Sequence, residues 1–125
     1  MDLFKNAIFN YSWEIKSEIS LLGVKFPLTV SADAYYATEK PTSEQEASYG
    51  FFLSNYKEIL EKIEEMLVYD AGSVEGARRR YIPKMIKIKK NGDCGLLLDD
   101  ADDFENGLVV TIRPSYELMS TDEYL

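Results

Sequence analysis

The chain has 125 residues, 46% of them hydrophobic and 29% charged, with a net charge of −8 and no histidine. This composition fits one globular domain spanning residues 1–125 and is too apolar for a disordered chain. The negative balance argues against nucleic acid and anionic membrane as partners; without histidine there is no Ser-His-Asp or Cys-His nucleophile pair and no His-ligated metal.

Met1 to Asn6 lacks the basic region and apolar run of a signal peptide. No stretch approaches the roughly 18 apolar residues of a membrane span, so a cytoplasmic location is expected. From Ser12 to Leu21 the residues alternate, with Trp13, Ile15, Ile19 and Leu21 on one face and Glu14, Lys16 and Glu18 on the other. Gly23 breaks the run, and Val24, Phe26, Leu28 and Val30 resume it, so an antiparallel hairpin is predicted. Pro27 has no N–H and predicts that its strand is an edge or carries a bulge. Ala32 to Pro41 reads as a connection containing Tyr35 and Tyr36, either interface anchors or caps on a core edge.

Thr42 and Ser43 stand three residues before Gln45 and Glu46, forming two overlapping capping boxes. Tyr49, Phe52, Leu53, Tyr56, Ile59, Leu60, Ile63, Met66 and Leu67 follow at three-four spacing, which predicts one long amphipathic helix of roughly 27 residues ending at Asp70–Ser73. Ser73 to Tyr81 reads as a polar, mobile connection. Beyond it, strands are expected around Ile86–Ile88, Gly95–Leu98, Leu108–Ile112 and Tyr116–Met119, with turns at Asn91-Gly92, Asn106-Gly107 and Arg113-Pro114-Ser115. The expected fold is α+β: an N-terminal hairpin, the helix, and a C-terminal antiparallel four-stranded meander packed on it.

Charge is segregated along the chain. Residues 1–77 carry 6 basic and 13 acidic side chains, residues 78–90 carry 7 basic and none acidic, and residues 91–125 carry 1 basic and 9 acidic. Two candidate sites follow. The first is the acidic stretch Asp99, Asp100, Asp102, Asp103 and Glu105. It could meet a basic protein or hold a hard cation through oxygen ligands, although an EF-hand order is absent because position 104 is Phe. Such a run is also what a solvated acidic loop between strands looks like. The second is Arg78, Arg79 and Arg80, with Lys84, Lys87, Lys89 and Lys90 beyond. Guanidinium forks suit phosphate or carboxylate, while a solvent-facing strand and internal pairing with the acidic stretch account for the same residues without a ligand. Cys94, the single cysteine, is expected to be an inert turn residue. No catalytic residue, metal site or cofactor is assigned. A small enzyme or ligand-binding protein using groups such as Glu105 and Arg80 is the alternative to an interaction domain.

The strand pair opening on Trp13, the T-S-E-Q-E-A-S-Y helix start at Thr42 to Tyr49, and the G-L-L-L-D-D strand resemble an uncharacterised family of small bacterial α+β domains. In that family a Thr or Ser, a Gln and an aromatic residue begin the helix, matching Thr42, Gln45 and Tyr49. A C-terminal turn often reads W-D-x-E-H-G; here it is Asp102-Asp103-Phe104-Glu105-Asn106-Gly107, with no tryptophan and with Asn106 in place of histidine. The resemblance runs from Trp13 to Leu125. It implies no settled activity, but some members look like immunity or accessory proteins of bacterial toxin systems. On that footing a protein partner is expected, in its sharpest form a basic toxin, for a monomer or homodimer with no nucleic-acid or membrane partner.

Overall fold

A computed structural model describes residues 2–125 and places all seven strands in one sheet, in the order β1 to β7. The strands are β1 (Ile8–Phe9), β2 (Ser12–Leu21), β3 (Val24–Asp33), β4 (Tyr81–Ile88), β5 (Cys94–Asp100), β6 (Leu108–Arg113) and β7 (Leu118–Met119). Helices α1 (Ser43–Ser54), α2 (Tyr56–Ala71) and α3 (Val74–Arg80) form the crossover from β3 to β4, and α4 (Thr121–Tyr124) follows β7. Only β3 and β4 pair in parallel. The α+β class and the mostly antiparallel sheet are as expected, but hairpin and meander are not separate units. The parallel β3–β4 pair fuses them.

Leu21 and Val24 close the first hairpin around Leu22 (φ 51°) and Gly23 (φ 81°), both left-handed as a two-residue loop between twisted strands requires. Leucine resists this region by about 1 kcal/mol. The turn is held from outside, because Leu22 N–H donates to Glu64 at 2.6 Å and Arg78 Nε donates to the Leu22 carbonyl at 2.9 Å.

The turn also sets which backbone groups face which neighbour. Leu21 and Val24 pair directly, so Lys25, Pro27 and Thr29 turn their backbone groups toward β4. On β4 the Ala101 N–H bond to the Arg80 carbonyl, 2.8 Å, gives an alternation that points Pro83 back toward β3. Two residues without N–H groups therefore face the same gap, and the β3–β4 ladder is confined to Thr29–Ala32 against Met85–Ile88. The expectation for Pro27 is corrected accordingly. Its strand is interior, its ladder with β2 is regular, and the bulge lies on β4 between Pro83 and Met85.

The single long helix is also corrected: it is two helices, broken at Asn55 (φ −118°, ψ 24°). Asn55 directs both its backbone N–H and its Nδ2 to the Phe51 carbonyl, each at 3.0 Å, the local competition that makes asparagine a poor interior helix residue. The apolar stripe survives the break, and Phe52, Ile59, Ile63 and Leu67 are buried against Ile19, Leu28, Val30, Ile86 and Leu96. At about 2 kcal/mol per large side chain this layer contact is the main tie of the fold.

Three smaller differences bear on the site. The stretch expected as a mobile connection holds α3, capped by Ser73 Oγ on Gly76 N–H at 2.9 Å and anchored by fully buried Ala77. Strand β5 runs on through Asp99 and Asp100, so these two are not loop residues. The last strand is only Leu118–Met119, because Glu117 N–H is diverted to Thr111 Oγ1 at 2.8 Å. No described helix is long and apolar enough to cross a membrane.

Candidate functional site

The helix-start motif is a structural stitch. Thr42 is the N-cap of α1, with its Oγ1 accepting from Gln45 N–H at 3.1 Å and donating to the Lys90 carbonyl at 2.7 Å. Gln45 is fully buried; its Oε1 takes the Thr42 N–H at 2.9 Å, and its Nε2 donates to the carbonyls of Asp33 (2.9 Å) and Ile88 (3.1 Å). Ser48 donates to the Gly92 carbonyl. The T-x-x-Q-x-x-S spacing thus sews the first turns of α1 to the ends of β3 and β4 and to the β4–β5 turn.

The acidic and arginine candidates meet each other. Arg80 forks onto Asp100 at 2.8 and 3.2 Å and reaches Asp102 at 3.2 Å; Arg79 forks onto Asp102 at 3.1 and 3.2 Å. Lys84 pairs with Asp99 at 3.1 Å. Asp100 is 5% exposed, on the helix-covered face of β5, and the Arg80 fork holds its carboxyl below the ordinary range against the opposing effect of burial. Arg79 likewise lowers Asp102. Tyr81 donates to Asp70 beside this cluster, and burial first, then that hydrogen bond, raises its phenol.

Arg78 is elsewhere, on the Leu22 carbonyl. Asp103 accepts from Asn106 Nδ2 at 3.1 Å, and Phe104 and Glu105 stand exposed in the turn. Among the described residues no three His, Cys, Asp or Glu side chains gather in a way that could hold a metal ion. Glu105 and Arg80 line none of the clefts described below. Cys94 is buried, and burial pushes its thiol up to about 11.

The opposite end of the sheet presents a different surface. The β1–β2 turn carries Tyr11 at φ 63°, and its side chain is 92% exposed. Beside it the β3–α1 connection presents Tyr35 and Tyr36, 78% and 70% exposed. Glu39 organises that connection. Its carboxylate accepts from Tyr35 N–H at 3.0 Å and pairs with Lys90 at 2.5 Å, and its carbonyl takes the Trp13 Nε1 proton at 2.6 Å. The Lys90 bond, followed by the Tyr35 amide, lowers the Glu39 carboxyl. Lys90 Nζ also lies 3.7 Å from the Tyr35 ring centre.

Between these elements lies a cleft of about 540 Å³, lined by Tyr11, Asp33, Ala34, Tyr35, Lys87, Lys89, Lys90 and Asn91. A smaller cleft of about 320 Å³ adjoins the β4–β5 turn, where Arg113 lies over Phe51 with its guanidinium 5.0 Å from the ring centre and 3.5 Å from Ser48 Oγ. Tyr11, Glu39 and Arg113 were not legible as site residues. The only signal for Tyr11 is the neighbouring Asn10, a turn cue that does not reveal an exposed aromatic ring.

No protein-family model, curated protein or solved structure matches the chain.

Proposed function

We propose that this chain is a non-catalytic protein-interaction domain that docks its partner on the tyrosine-bearing end of the sheet. The observation that carries this reading is the exposure of Tyr11, Tyr35 and Tyr36 on one end, with Tyr11 held in a backbone conformation that costs about 1 kcal/mol. Tyrosines offer large, rigid contact area at little entropic cost and dominate many interfaces. Left-handed strain at an exposed aromatic residue is a functional cue in the same direction.

The electrostatics support a binding role over catalysis. Hydrogen bonds hold the carboxyls of Glu39, Glu44, Asp100 and Asp102 below their ordinary range, away from that of a general acid. The acidic stretch first considered for meeting a basic toxin spends Asp99, Asp100 and Asp102 on Lys84, Arg79 and Arg80. An immunity-like or accessory role in a bacterial toxin system is the sharper form of the proposal, with the tyrosine end turned to the toxin. The test is co-purification from the source organism at low salt, with wild type beside a Tyr11→Ser/Tyr35→Ser/Tyr36→Ser variant of unchanged melting temperature. Expected is a protein retained by wild type and lost from the variant; equal retention by both overturns the proposal.

A further inference from the structure

The basic segment 78–90 is divided by the fold, and its two halves do different work. Arg78, Arg79, Arg80 and Lys84 are spent on the Leu22 carbonyl, Asp100, Asp102 and Asp99. Lys87, Lys89 and Lys90 instead line one cleft with Tyr11 and Tyr35. Each ammonium carries three N–H donors and spends one on an oxygen of this chain: Lys87 on Asp33 at 2.6 Å, Lys89 on the Tyr124 carbonyl, Lys90 on Glu39 at 2.5 Å. Lys89 has no carboxylate within 4.0 Å among the described residues. The one carboxylate of the lining, Asp33, is held by Lys87, and Asn91 Oδ1 is taken by Asp93 N–H at 2.9 Å. Three ammonium groups against one carboxylate give the lining a net positive charge and a surplus of charged donors.

From this donor surplus we infer that the cleft receives an acidic segment of the protein partner, with carboxylates on Lys87, Lys89 and Lys90 and neighbouring apolar groups on Tyr11 and Tyr35. The inference rests on the docking surface proposed above and adds the chemistry of what docks there. Ammonium–carboxylate bonds are the strong, charge-assisted kind. Carboxylates accept without donating, so they match a lining whose charged groups are mostly donors. The chain's net charge of −8 does not oppose this at physiological salt, because charges beyond about 8 Å are screened and the cleft's own ammonium groups dominate. The volume, about 540 Å³, is within the range of ligand clefts and accommodates several side chains.

The test uses the intact chain and two twelve-residue peptides of matched aromatic content, one rich in Asp and Glu, the other with Asn and Gln in their place. Backbone amide NMR shifts are followed for residues 11, 33–36 and 87–91. The expected result is saturable shifts there with the acidic peptide only, weakened at least tenfold by 0.5 M salt and by Lys87→Gln/Lys89→Gln/Lys90→Gln. A Lys89→Gln variant, which leaves the Asp33 and Glu39 pairs intact, guards against misfolding of the triple variant and is expected to weaken binding about threefold. Equal shifts with the neutral peptide, no shifts at millimolar peptide, or equal shifts with orthophosphate alone overturn the inference. Co-purification lost from the tyrosine variant, with no acidic-peptide shifts, leaves the docking surface standing and removes only the acidic partner; retention by that variant removes the surface itself.

Discussion

Replacing Arg80 by Met isolates the most buried ion pair of the fold. The substitution keeps most of the side-chain volume but leaves the Asp100 carboxylate, whose side chain is 7% exposed, without its fork of 2.8 and 3.2 Å. Breaking a buried pair from one side costs about 3–5 kcal/mol. Arg80 itself keeps 21% of its side chain exposed, so solvent relieves part of this and about 2–3 kcal/mol is expected. For a chain of this size that lowers the melting temperature by about 10 °C. Urea unfolding at pH 7 measures it directly. Arg80→Met/Asp100→Leu, which removes both charges, is expected to recover at least half of the loss, and Arg79→Met at the exposed pair is expected to leave the midpoint near wild type.

The pH dependence gives a second reading of the same pair. The folded carboxyl of Asp100 is lowered, so the unfolded chain binds the proton more readily. Its stabilisation is complete above the unfolded value, about 3.9, and is lost as pH falls through the folded value. Without Arg80, burial raises the same carboxyl in the variant, so the gap between wild type and Arg80→Met should narrow steadily as pH falls from 7 to 3. A gap that stays constant from pH 7 to 3, or a loss under about 1 kcal/mol without recovery in the double variant, would refute the assignment of this pair as a tie of the fold.

Gln45→Leu removes two donations to strand-end carbonyls and the back-bond to Thr42, and about 2–3 kcal/mol of stability should be lost in urea; a loss within 0.5 kcal/mol would show the stitch to be dispensable. Tyr11→Asn should stabilise the fold by about 0.5–1 kcal/mol by suiting the left-handed turn, while weakening partner retention; a destabilised variant would mean that the ring packs in the free protein. Cys94 should react with a disulfide reagent at pH 8 far more slowly when native than in urea, since burial raises its thiol to about 11. Equal rates would contradict its burial.

Local pattern was enough to read several elements correctly. Alternation in Ser12–Val30, the Thr42 cap and the three-four stripe from Tyr49 to Leu67 are visible because each rests on residues close in sequence. Internal complementarity between the basic and acidic stretches was also legible, but only Lys84–Asp99 joins neighbouring strands, since Arg79 and Arg80 end α3.

What the sequence could not decide depends on register and on distant partners. The helix break needs Asn55 to compete for the Phe51 carbonyl, and the site of the sheet gap needs Pro27 and Pro83, fifty-odd residues apart, to face each other. Asp100 became a buried strand residue because β5 continues against Tyr81, a pairing no local signal contains. The tyrosine end was assembled in the same way. Tyr11, Tyr35 and Lys90 come from three separate segments, joined through Glu39 and Trp13. Alternation along one strand fixes which face a side chain occupies; only the folded chain fixes which strangers in sequence share that face.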